Sequence, residues 1–230
     1  MMTTPMELPR HFDRELANLK QDLLRMAALA ETAVAKSLVS VTHRDSDRAR
    51  EVIIDDITIN RMELAIEEQS FKLLALRQPV ATELRLTVAA MRIATELERI
   101  GDQAVNIAER ALELNSRPPL ELPIDITVMA DIALGMVRTS IDAFVNQDPK
   151  LALQVCQRDV EVDILDDEYI QKLLDSMIQE SRWVTRLHHF IIIVRNIERI
   201  ADLATNIAED IVFIVEGRVI KHRCEDWMMS

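Results

Sequence analysis

Residues 96–111, ELERIGDQAVNIAERA, return one hundred positions later as NIERIADLATNIAEDI at 196–211. A helix-period segment that recurs across half a chain points to a duplicated unit, because each copy has to bury the same face in the same way. Advancing about 100° per residue, Ile93, Leu97, Ile100, Ala104, Ile107 and Ala111 fall on one side of the first copy. Ile193, Ile197, Ile200, Ala204, Ile207 and Ile211 do so in the second. These are the predicted core faces. A weaker echo joins DDITINRME at 55–63 to RDVEVDILD at 158–166, pairing Asp56 with Asp159, Asn60 with Asp163 and Glu63 with Asp166.

The rest of the chain agrees with helices alone. Hydrophobic residues make up 49% and charged residues 29%, while there are only 3 glycines and 3% aromatics, far below what sheets and tight loops use. Few turn signals interrupt the helical pattern: THRDSD with Asp45 or Ser46 as a cap, RQPVATE with Pro79 suited to a first helical turn, and NQDPK, ESRW and Gly217. The proline-rich NSRPPLELPID is the strongest break. Six helices are predicted, near 8–42, 46–77, 80–115, 125–146, 149–180 and 182–216. The expected fold is all-α: two pseudo-symmetric antiparallel three-helix bundles, residues 1–116 and 125–230 with a short C-terminal tail, joined by a linker at 117–124.

A formal net charge of −12 makes the average surface repel phosphate backbones, and no basic cluster interleaved with aromatics offers a nucleic-acid face. No apolar run is long enough to span a bilayer, and the N-terminus has no signal-peptide core, so a cytoplasmic protein is expected. Cys156 and Cys224 lack any CxxC or Cys/His spacing and are expected to be free thiols. The adjacent His188 and His189 are expected at the surface or the core edge. No P-loop, nucleophile elbow or other catalytic motif is present.

What the repeat presents opposite its core is acidic. Glu98 and Asp102, one turn apart, share a stripe with Asn106 and Glu109, and Glu198 and Asp202 repeat the pair. Like charges at this spacing cost a helix a few tenths of a kcal/mol. On the middle helices Asp159 and Asp163 repeat the arrangement, with Asp56 and Asn60 as a half-neutralised version. Something positive should therefore meet these faces. Arg99, Arg195 and Arg199, each three residues before an acid of the pair, could do so as ordinary surface ion pairs. A metal could do so as well, because carboxylates a turn apart on neighbouring helices supply several oxygens to one ion. All-oxygen donors suit Mg, Mn, Ca or iron rather than structural zinc, and the Glu-x-x-His pairs of ferritin-like bundles are missing. The residues alone leave both readings open, together with that of a metal-binding or storage bundle that has no signalling role.

The chain resembles the PhoU family over nearly its whole length, on RQPVATELRL, ELERIGDQAVNIAE, NIERIADLATNIAE and IVEGRVIKH. That resemblance implies two pseudo-symmetric three-helix bundles and a non-enzymatic, cytoplasmic negative regulator. Such a protein links the Pst-type phosphate ABC transporter, through its ATPase subunit PstB, to the histidine kinase PhoR and its response regulator PhoB. It implies homodimers, contact with the membrane only through partners, and metal ions such as Mn, Mg or Fe on the acidic faces. The motif positions are Glu98, Asp102, Glu198 and Asp202, with Asp56, Asn60, Asp159 and Asp163 supporting them; if the two sites differ in strength, the first, with Asn60, is expected to be the weaker.

Overall fold

The computed structural model describes residues 7–220. Its helices are α1 (Glu7–Thr42), α2 (Ser46–Arg77), α3 (Ala81–Asn115), α4 (Ile126–Asn146), α5 (Pro149–Gln179) and α6 (Val184–Glu216), with one 3₁₀ turn, Ser181–Trp183, leading into α6. The expected C-terminal tail and Cys224 lie outside the described residues.

Local chemistry sets most of the helix ends. Asp45 caps α2 by accepting from the amides of Asp47 and Arg48 at 3.1 Å each. Asp125 caps α4 through Thr127 at 3.0 Å, and Asp148 caps α5 through Lys150 at 2.8 Å, with Pro149 in the first turn. Gly217 ends α6 in the left-handed region at φ 71°, as its position predicted. Pro79 departs from expectation: it is buried in the turn before α3, whose cap is Val80 with no side-chain hydrogen bond. Gln78 takes φ 48° there and ends α2, so the turn is completed before the proline can enter a helix. At the α1–α2 turn Arg44 donates to the carbonyls of Leu114 and Asn115 at 3.1 and 3.2 Å, and also to that of Arg117. It thereby ties the α1–α2 turn to the C-terminal end of α3, where the last carbonyls have no partner in a following helical turn.

Helices α1–α3 pack together, as do α4–α6, and α3 lies against α6 while α1 touches α4. All twelve predicted core positions are buried, at no more than 1% exposure. Between the bundles, Arg85 donates to the Ile214 carbonyl at 3.1 Å, Arg92 pairs with Asp210 at 3.2 Å, and Arg138 pairs with Glu31 at 2.5 Å. Helices α2 and α5 are left on the outside, each packing mainly on its own bundle.

One expectation is corrected. Cys156 is disulfide-bonded rather than a free thiol, and no free thiol occurs among the described residues. Spacing along the chain reports only on local cysteine pairs, whereas a disulfide joins residues that the fold brings together. His188 is exposed and His189 is buried on α6, as the core-edge reading allowed.

Candidate functional site

The repeated acids lie along the seams where the outer helix of each bundle meets the central one, α2 with α3 and α5 with α6. None of the four motif carboxylates is packed inside a bundle: Asp102 is exposed, and Glu98, Glu198 and Asp202 are half-buried. Half-burial follows from the wheel, since these residues sit at the edge of the apolar stripe, where the neighbouring helix covers part of each side chain.

In the first seam, Asp56, Glu63 and Asp102 all act on Glu98. Burial first, then the charges of Asp102, Glu63 and Asp56, push the Glu98 carboxyl up to about 7, against the lowering effect of Arg99. Asp56 is also raised, by burial and by Asp102, although the Asn60 amide donates to it at 3.0 Å. Glu63 accepts from the Thr95 hydroxyl at 3.0 Å. Gly101 makes this approach of helices possible, since a Cβ there would lie 3.0 Å from Asp56 Oδ1 and 3.1 Å from Ile59 Cδ1.

The second seam repeats the first with stronger internal pairing. Burial, then Asp163, Asp202 and Glu198, push Asp159 up to about 7, opposed by a hydrogen bond from Thr205. Asp163 and Glu198 are raised as well, again mainly by burial and then by Asp202. At the position equivalent to Thr95, Arg195 reaches the buried Asp166 at 2.5 Å, and Arg199 holds Asp202 at 2.8 Å.

The structure thus brings the eight predicted positions into two groups of four, Asp56, Asn60, Glu98 and Asp102 in one and Asp159, Asp163, Glu198 and Asp202 in the other. Glu109 is drawn away, paired with Arg110 at 3.1 Å. Of the three surface pairs considered from sequence, only Arg199–Asp202 forms; Arg99 turns to Glu96 at 3.5 Å and Arg195 crosses to α5. Sequence reasoning left Glu63, Asp166 and Thr95 out of the site and set Arg195 against Glu198 on its own helix, although the echo of the middle helices had already aligned Glu63 with Asp166.

Three oxygens in these seams, Asp56 Oδ1, Asn60 Oδ1 and Asp166 Oδ1, are buried with no hydrogen-bond partner. Unsatisfied buried oxygens beside carboxylates held up in pKa are chemistry that suits a hard cation. As the side chains stand, no three His, Cys, Asp or Glu among the described residues converge on a metal position. The donors therefore fit such an ion by charge and atom type, and rotamer changes would be needed to gather them. No described helix is long and apolar enough to cross a membrane.

A PhoU domain model matches residues 23–111 and again 126–211. A phosphate-specific transport system accessory protein PhoU homolog from Caulobacter vibrioides is 37% identical over 209 residues, covering 90% of this chain and 91% of that protein. The homolog of the same name from Aquifex aeolicus is 36% identical, covering 91% and 95%. The crystal structure of PhoU from Pseudomonas aeruginosa superposes with a TM-score of 0.87 at 35% identity, covering 90% of this chain and 100% of that one. With the domain matched twice, on the two bundles that carry the two acidic seams, the chain belongs to the PhoU family.

Proposed function

We propose that the protein is a negative regulator of phosphate-starvation genes and a modulator of phosphate uptake. In this reading it couples a Pst-type phosphate ABC transporter, through PstB, to PhoR and hence PhoB, by contacts made on its outer helix faces. It works in the cytoplasm as a homodimer and reaches the membrane only through its partners. The observation that carries the reading is the full-length likeness to relatives whose name is phosphate-specific transport system accessory protein. The two equivalent acidic seams support it, because repelling carboxylates kept outside the core are explained by something positive that meets them there. No catalytic step is assigned to the chain.

Metal ions of the Mn, Mg or Fe type belong to the same proposal. Glu98, Asp102, Asp56 and Asn60 would hold one in the first seam, and Glu198, Asp202, Asp159 and Asp163 in the second. When bound, such an ion would supply positive charge to carboxylates that otherwise repel. Deleting the gene and assaying alkaline phosphatase in phosphate-rich medium tests the regulatory role. High activity that a plasmid copy represses again is expected, and unchanged low activity in the deletion strain would refute it.

A further inference from the structure

Helix α2 is apolar on two opposite sides. Ala49, Val52, Ile59, Ile66 and Leu73 face the core. Ile57, Leu64 and Phe71, spaced seven residues apart, face the other way at 52%, 63% and 54% exposure. Residues seven apart lie on one line of a helix, so these three form an apolar stripe with polar residues between them, and an exposed apolar patch of this kind on a folded surface marks an interaction site. Their exposure shows that the described residues leave this stripe uncovered, while α2 packs mainly on α1 and α3 with its other side.

The charges along the stripe identify its occupant. Arg61 and Glu68 lie on the same flank, one turn before and one turn after Leu64. Arg61 has no hydrogen bond or ion pair among the described residues. Glu68 holds only Lys72 on its own helix, at 2.7 Å. If a second α2 runs antiparallel across a two-fold axis at Leu64, then Leu64 meets its own copy, Ile57 meets Phe71, and Arg61 meets Glu68 twice. Such an interface is self-complementary, as two-fold symmetry requires.

The equivalent stripe on α5, with Val160, Ile164, Leu174 and Ile178 exposed, fails the same test. There Asp167 takes the place of Leu64, Gln171 that of Glu68 and Ile164 that of Arg61, so self-pairing would set carboxylate against carboxylate.

We infer that a second copy of this chain docks on the outer face of α2, in an antiparallel helix pair centred on Leu64. This rests on the self-association proposed above and gives it a surface. Sedimentation of the full chain and its variants over a concentration series tests it. The wild type is expected to dimerise, and Leu64→Asp to remain monomeric with unchanged helix content. Arg61→Glu should weaken the dimer about tenfold or more, since both symmetry-related pairs become repulsive, and adding Glu68→Arg to it should restore most of the loss. A dimer of unchanged affinity in Leu64→Asp would overturn the α2 surface and leave self-association standing elsewhere. A wild type that stays monomeric throughout the series would overturn both.

Discussion

At the residue scale, the carboxylates that matter are the ones the fold makes hardest to ionise. Glu98 and Asp159 have folded pKa values raised to about 7 by burial and neighbouring acids. Between the ordinary carboxylate range and pH 7 the folded state therefore holds protons that the unfolded state has released. By linkage, stability falls as pH rises through that window and levels off above it. Thermal melts of metal-free protein should show Tm decreasing from pH 5.5 to pH 7.5, and the double variant Glu98→Gln with Asp159→Asn should flatten that slope. A slope unaffected by the two amides would mean that other groups carry it. Asp166 differs, because its buried side chain is held by Arg195, itself half in solvent. Arg195→Ala should cost about 1–3 kcal/mol by leaving that buried carboxyl without its hydrogen-bond donor, and adding Asp166→Asn should recover part of the loss, as urea titration would show. The wheel could place each acid on its own helix, which is why all eight predicted positions are found in two groups. It could not say which side chain of the neighbouring helix would reach over, so the Thr95–Glu63 and Arg195–Asp166 contacts were not legible.

At the element scale, legibility followed from punctuation. With so few glycines the breaks stood out: Asp45 caps α2 as one of the two residues expected to, while Asp125 and Asp148, not singled out as caps, act at ends where helices were expected to begin. Asp45→Ala should destabilise by about 1 kcal/mol through loss of the α2 cap. At the other end of a helix, Gln147 ends α4 in the left-handed region at φ 50°. Gln147→Gly should accordingly stabilise by up to about 1 kcal/mol, because glycine adopts that conformation without the Cβ penalty. Denaturant midpoints would report both signs. The break before α3 was legible, since Pro79 disfavours helix at Gln78 and α3 starts at Ala81, one residue from the expected start; only the place of Pro79 itself, in the turn and not in the first helical turn, differs. The outer stripe of α2 was hidden, because apolar residues on two opposite faces blur the single amphipathic period that a sequence reading looks for.

At the scale of the whole molecule, duplication places two similar seams on one scaffold while their ionic surroundings differ. The first has Asn60 where the second has Asp163, yet the second has Arg195 and Arg199 engaged with its acids. The central claim is that the core folds without the repeated acids and that the acids serve what the protein meets. Replacing Glu98 and Glu198 by Gln and Asp102 and Asp202 by Asn in one chain tests it most directly, with alkaline phosphatase followed in phosphate-rich medium alongside Tm and protein level. The account expects an intact fold, with Tm equal to or above that of the wild type, and loss of repression. Full repression at normal protein level, or a chain that no longer folds, would contradict it.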